Sequence, residues 1–218
     1  MTSVLVIDDH PIVLQGCRQL LQDAGASTIH QSSTLSRGFR LYRQQKPSVL
    51  IVDLALKSGA LGGISFIRRL RRLDRDIPIL VFSMHRDPVV VSRAIEAGAT
   101  GYILKDTPFE EFARAFDRVR QGKRYLSSDL ASDVVFMEAR GSSNPLKVLT
   151  ARELQTLSLL ADGKPYSAIA DELRVSYKTV ANTCSLLKTK LRVGSLPELM
   201  RLAIQHLPGI MPAGSKSH

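Results

Sequence analysis

Four apolar runs in the first half of this chain end in residues able to do chemistry. Asp8 and Asp9 follow "VLVI", Asp53 follows "VLIV", Ser83 follows "PILVF" and Lys105 follows "GYIL". Buried strands avoid ionised carboxylates, and two side by side repel each other unless something cationic lies between them. Carboxylates grouped in this way suit a hard divalent cation such as Mg²⁺, which takes oxygen ligands and keeps several waters. With a metal neutralising the acids, Lys105 and Ser83 stay free to hold the oxygens of an incoming phosphoryl group, and Asp53 is placed to be its nucleophile. One aspartate at a strand end is more often a helix cap or a solvated loop residue, so the weight rests on the set in register. His10 and His85 flank that set, and they read as neutral polar neighbours because a Mg²⁺ site prefers oxygen.

The elements that must bring these residues together follow from hydrophobic period. "SVLVIDD", "STIHQSS", "VLIVDL", "PILVFSM" and "GYILKD" read as five strands; the second is more polar and reads as an edge. Helical periodicity fills the gaps, as in "PIVLQGCRQLLQDAG", where Val13, Cys17, Leu20 and Ala24 share a face. Helix starts are signalled by Asp87 with Pro88, and by "TPFE", in which Thr107 caps, Pro108 takes the first helical position and Glu110 completes a capping box. Alternating β and α elements predict an α/β fold with an open, doubly wound, five-stranded parallel sheet. In such a fold ligands bind beyond the carboxyl ends of the strands, where all five chemical residues would converge. "IRRLRRLDRD" (67–76) reads as a solvated helix face with Ile67 and Leu70 inward, and alternatively as an added anionic contact.

"DDHP", "VLIVDL", "FSMH" and "GYILKD" occur in the order and at the separations of the response-regulator receiver domain, so residues 1–122 resemble that flavodoxin-like family. The resemblance implies Asp53 as phosphoacceptor and Mg²⁺ held by Asp8, Asp9, Asp53 and the backbone carbonyl of Ala55. It also implies Ser83 and Tyr102 as a hydroxyl and aromatic switch pair, and a sensor histidine kinase as phosphoryl donor. One departure follows Asp53. Leu56 and Lys57 stand where members commonly carry Met-Pro, in a loop about two residues longer over the metal site, where kinase choice and phosphorylation kinetics would be altered.

From Gly122 the character changes. Residues 123–147 read as a linker with a short helix over 128–139 and a break at "GSSNP" (141–145), and residues 208–218 as a flexible tail. Between them lie four short helical segments, two of them opened by capping boxes, Thr150 to Glu153 and Ser195 to Glu198. No acid falls between Glu172 and Glu198, whereas Arg174, Lys178, Lys188, Lys190 and Arg192 are basic, a pattern suited to phosphates. On a helical wheel Val180, Cys184, Leu187 and Leu191 form a core stripe. Lys178, Ala181, Asn182, Ser185, Lys188, Thr189 and Arg192 form the other face, small and polar enough to approach base edges. "LTARELQTLSLLADG", "IADEL", "SYKTV" and "KTKL" make residues 148–207 resemble a LuxR-type helix-turn-helix, and the whole a NarL/FixJ-type response regulator. That resemblance implies that Lys178, Thr179, Ala181, Asn182 and Ser185 face DNA, with Lys188 and Arg192 nearer its backbone. Thr183 replaces a common histidine, and Pro165, Tyr166 and Ala168 replace usual polar residues, so sequence preference would differ from that of relatives. Cys184 reads as a core thiol rather than a redox sensor.

Composition agrees with two modest soluble domains. In 218 residues 44% are apolar, and a net charge of +10 points to a polyanionic partner. Residues 148–218 carry 9 basic and 5 acidic groups and form the better nucleic-acid candidate. No run approaches the roughly 20 apolar residues of a membrane span, and Cys17 and Cys184 are in no metal or redox spacing, which together predict a cytoplasmic protein without a membrane partner. The expected function is a phosphorylation-gated transcriptional regulator, not an enzyme, that pairs as a homodimer through its closing helix on double-stranded promoter DNA, with RNA polymerase among its partners. A phosphatase with a phosphoaspartyl nucleophile would need an acid where Ala55 stands. The remaining alternative is a phosphorylation-independent DNA-binding regulator that uses the receiver as a fixed dimerisation module.

Overall fold

The computed structural model describes residues 2–56, 62–139 and 145–206, in two compact units, 1–141 and 142–218. Lys57, most of the longer loop, most of the "GSSNP" break and the tail 208–218 lie outside the described residues.

In the first unit β1 (Ser3–Ile7), β2 (Thr28–Ser32), β3 (Val49–Val52), β4 (Ile79–Ser83) and β5 (Gly101–Leu104) alternate with α1 (Pro11–Asp23), α2 (Leu35–Gln45), α3 (Gly62–Arg71), α4 (Pro88–Glu96) and α5 (Phe109–Arg120). All pairings are parallel, and the order is β2-β1-β3-β4-β5-β6, with β2 at one edge as its polarity suggested. β3, β4 and β5 are buried at every position, because helices cover both sheet faces. One core layer gathers Val4, Val6, Ile51, Leu80, Phe82 and Ile103 with Cys17 and Leu21 of α1 and Phe112 and Phe116 of α5. Phe82 and Phe112 meet edge-on with centroids 5.4 Å apart. Each such side chain contributes roughly 1.5–3 kcal/mol by leaving water.

The sheet has six strands among the described residues, not five. β6 (Tyr125–Leu126) pairs its two residues with Gly101 and Tyr102 of β5. An unpaired β5 edge would leave backbone donors exposed, and two residues suffice to cover it. α6 (Ser128–Ala139) follows and lies against α4. Residues 125–139, within the stretch read as linker, are therefore a strand and helix of the first unit. The capping box at Thr107 and Glu110 does not form either. Pro108 is itself the N-cap residue, and Glu110 and Glu111 favour the helix start through its dipole. Asp87 caps α4 as read, accepting from Val89 and Val90 N–H groups at 2.7 and 3.3 Å. In the arginine run, Ile67 and Leu70 are fully buried, Arg69 stacks on Phe39 and Arg71 donates to the Gly98 carbonyl at 2.8 Å.

The second unit holds a short 3₁₀ turn (Pro145–Val148), α7 (Ala151–Ala161), α8 (Tyr166–Leu173), α9 (Tyr177–Leu191) and α10 (Leu196–His206). Val180, Cys184, Leu187 and Leu191 of α9 are buried, together with Leu154, Leu157 and Leu160 of α7, Ile169 of α8 and Leu199 and Ala203 of α10.

Candidate functional site

Ser83 ends its strand, Asp8, Asp53 and Lys105 stand one position beyond theirs and Asp9 two, and the sheet's hydrogen-bond ladder still holds the backbone of Asp8, Asp53 and Lys105. Asp8 N–H donates to the Ser32 carbonyl at 3.0 Å, Asp53 N–H to Ile7 at 2.9 Å and Lys105 N–H to Ser83 at 3.0 Å. The sheet thereby fixes where the side chains start. Gly63, in the first turn of α3, completes the seat of Asp53. A Cβ there would lie 2.6 Å from the Asp53 carbonyl oxygen and 2.7 Å from Leu54 Cα, so only glycine lets α3 close on the end of β3. In the sequence it is the second glycine of the pair at 62–63, and the reading above did not single it out.

Asp8, Asp9, Asp53 and Ser83 are buried, at 2, 9, 3 and 0% exposure. Lys105 Nζ bridges two of the acids, lying 2.7 Å from Asp53 Oδ2 and 2.6 Å from Asp8 Oδ2. Burial disfavours the ammonium, but Asp53 and Asp8 outweigh it and hold the Lys105 pKa above its ordinary value. Donor atoms of Asp8, Asp9, Asp53 and His10 lie within 4.8 Å of one another, a carboxylate-dominated set that fits a hard divalent cation. His10 is closer to the acids than its reading as a mere neighbour implied, with Nδ1 3.1 Å from Asp8 Oδ1 and 3.0 Å from Asp9 Oδ1. Ala55 donates its N–H to Asp53 Oδ1 at 3.3 Å. The negative cluster is felt nearby: burial first, and Asp8 second, push the Cys17 thiol up to about 12.

Tyr102 is fully buried, and its hydroxyl donates to the His85 carbonyl at 2.8 Å, tying the β5 aromatic to the β4–α4 connection. Desolvation pushes its pKa well up. Ser83 Oγ makes no hydrogen bond of normal geometry, although the Tyr102 hydroxyl is near enough to interact with it. Three apolar side chains stand exposed on the segments that follow the site residues: Ile12, Met84 and Phe109, at 85, 66 and 40%.

In the second unit Thr150 and Glu153 form the full capping box of α7. Ser195 caps α10 only in part. Glu198 N–H donates to its hydroxyl at 3.3 Å, but the Glu198 carboxylate takes the Gly194 N–H, at 2.8 Å. Ser176 opens α9, accepting from Thr179 N–H at 3.1 Å. Opposite the buried stripe of α9, Lys178, Thr179, Asn182, Ser185 and Arg192 are exposed, and Ala181 and Lys188 half-buried. All seven residues expected to meet DNA therefore lie off the core face. The Ser185 hydroxyl meanwhile donates to the Ala181 carbonyl at 3.1 Å, so it bonds its own helix. The sequence reading missed Lys190. Counted there among the basic residues suited to phosphates, it instead holds Glu153 with both N···O distances under 3 Å, at 2.8 and 2.9 Å.

Comparison with known proteins agrees with both halves. Residues 4–117 match the response regulator receiver domain, and residues 147–203 the luxR family of bacterial regulatory proteins. The methanol utilization control regulatory protein MoxX of Paracoccus denitrificans is 38% identical over 95% of this chain and 93% of its own. The crystal structure of a LuxR-family two-component response regulator from Aurantimonas sp. SI85-9A1 matches with a TM-score of 0.58 and 33% identity, over 65% of this chain and all of that one. A structure of the Salmonella typhimurium response regulator RcsB, described in terms of conformational dynamism for DNA interaction, gives a TM-score of 0.59 at 25% identity, over 92% of this chain and 98% of that one. No helix among the described residues is long and apolar enough to cross a membrane. A receiver sheet with three acids and a lysine at its carboxyl edge, joined in one chain to a LuxR-type helix-turn-helix, makes this protein a member of the two-component response regulators, the phosphorylation-regulated transcriptional regulators of the NarL/FixJ type.

Proposed function

We propose that Asp53 is the phosphoacceptor and that residues 1–122 switch the DNA-binding activity of residues 148–207. The observation carrying this reading is the Lys105 ammonium bridging Asp53 and Asp8 at a buried edge that also holds Asp9. An Asp53 carboxylate oxygen donates a lone pair to the phosphorus of a sensor kinase's phosphohistidine. The P–N bond breaks, its electron pair returns to the imidazole, and an acyl phosphate forms on Asp53. Mg²⁺, when held by Asp8, Asp9, Asp53 and the Ala55 carbonyl, supplies charge neutralisation for the phosphoryl oxygens. Lys105 leaves a carboxylate to hold one of those oxygens, and the buried Ser83 hydroxyl, with no hydrogen bond of normal geometry, turns to another. Through the Tyr102 hydroxyl on His85, movement of Ser83 reaches the β4–α4 connection. The exposed Ile12, Met84 and Phe109 suit an apolar kinase surface docking over the acids.

On the DNA side α9 lies in the major groove of promoter DNA. Lys178, Thr179, Ala181, Asn182 and Ser185 meet base edges and the adjoining backbone, and Lys188 and Arg192 the phosphates. A homodimer reading two half-sites is the form in which a cytoplasmic regulator of this kind acts. The test is intact-protein mass spectrometry after acetyl phosphate, with Mg²⁺ or EDTA, on wild type and Asp53→Ala. A single Mg²⁺-dependent phosphoryl adduct that is absent from the variant is expected. No adduct, and no response to beryllofluoride, would leave the receiver as a fixed dimerisation module.

A further inference from the structure

Two oppositely charged neighbours in the first turn of α7 each reach a different helix of the helix-turn-helix. The Arg152 guanidinium donates to the carbonyl of Leu173, the last residue of α8, at 2.6 Å, where a helix leaves acceptors without intrahelical donors. Glu153, only 6% exposed, accepts the Thr150 N–H at 2.7 Å and also takes Lys190 Nζ on both oxygens. Burial opposes its ionisation, but the Lys190 ammonium and the Thr150 N–H prevail and hold its pKa below the ordinary carboxylate value. Lys190 sits in the last turn of α9. Val180, Cys184, Leu187 and Leu191 bury an apolar stripe of the same helix, and apolar contact is non-directional. It resists separation far more than small rotations or slides. A charge-assisted contact to two oxygens does have direction, and it acts at the end of α9 where Lys188 and Arg192 stand.

We propose that Glu153 and Lys190 form a clamp that sets the register of α9 for reading DNA, so that Lys190 is a positioning residue and takes no part in phosphate contact. The proposal rests on α9 being the DNA-facing helix. Base-edge hydrogen bonds tolerate only a few tenths of an ångström, so a loosened α9 loses sequence reading while keeping its general attraction to polyanions.

The experiment uses the full chain and two labelled duplexes, one enriched by the wild-type protein from a random-sequence library and one of random sequence, titrated over a range of salt. Lys188→Met is expected to flatten the slope of log K against log salt by about 0.9, as for one lost phosphate contact. Lys190→Met is expected to leave that slope unchanged, to weaken the enriched duplex about tenfold and to leave the random duplex within about twofold. Glu153→Gln removes no cation and keeps an amide oxygen for the Thr150 N–H. It should show the same loss, and the double variant should be no weaker than either single one. Lys190→Arg, which can keep the ion pair, should stay within about twofold of wild type. A slope flattened by about 0.9 in Lys190→Met would overturn the proposal by making Lys190 a phosphate contact. So would unchanged affinity in Glu153→Gln, which decides the matter even if Lys190→Met does not fold. Unchanged slopes in both Lys188→Met and Arg192→Met would overturn the placement of α9 on DNA, and the clamp's role with it.

Discussion

At the receiver's sheet edge Asp8 and Asp53, at most 3% exposed, meet one ammonium, Lys105, with Asp9 beside them and His10 Nδ1 3.0 Å from it, whereas in the DNA-binding unit Glu153, 6% exposed, meets one ammonium, Lys190. The second cluster sets one carboxylate against its ammonium and the first sets two. Crowded buried carboxylates cost folding stability and favour whatever cation can reach them, which suits the Mg²⁺ and phosphoryl site proposed above. A matched pair needs no ligand and serves geometry instead.

The largest test of that difference is Lys105→Met. Stripping the ammonium from the acids should cost about 3 kcal/mol in urea unfolding, with part of the loss restored by added Mg²⁺. A loss no greater than that of the Glu153 variant would erase the contrast. Glu153→Gln should cost about 1 kcal/mol, because Lys190 keeps 32% of its side-chain surface in water and solvent screens the pair. Its pH dependence has a definite sign. A carboxyl whose folded pKa is depressed contributes stability that is full above its unfolded pKa and fades as pH falls through the folded one. The difference in Tm between wild type and Glu153→Gln should therefore vanish below the carboxylate range. Asp9→Asn should move stability the other way, a gain of roughly 0.5–1 kcal/mol without Mg²⁺ through relief of like-charge repulsion. The added stabilisation by Mg²⁺, followed by calorimetry, should shrink in the same variant. The smallest effect belongs to a site away from both clusters. Arg174 closes α8 at φ 53, a left-handed conformation that glycine adopts without penalty, so Arg174→Gly should gain a few tenths of a kcal/mol in chemical denaturation.

How legible the molecule was depended on the range of the interaction concerned. Strand runs, the edge position of β2, the Asp87 cap, the Thr150 box and the buried stripe of α9 are repeated or adjacent patterns, and they stand in the structure as read. β6 was missed because two residues carry no period. The Thr107 box failed although its letters were right, since Pro108 took the N-cap position. Lys190 was grouped with the phosphate-facing cations because composition reports charge without its partner, and that partner lies 37 residues away.

The amino-acid sequence by itself determined the order of strands and helices, the residues that end each strand and the polar face of α9, because side-chain period and hydrogen-bond chemistry act over a few positions. Tertiary structure alone decided that Lys105 bridges Asp8 and Asp53, that Gly63 must admit α3 beside Asp53, and that of two lysines in the last turn of α9 one is held by Glu153. Those outcomes depend on which distant groups are brought within about 3 Å, and only the packing of sheet and helices sets such distances.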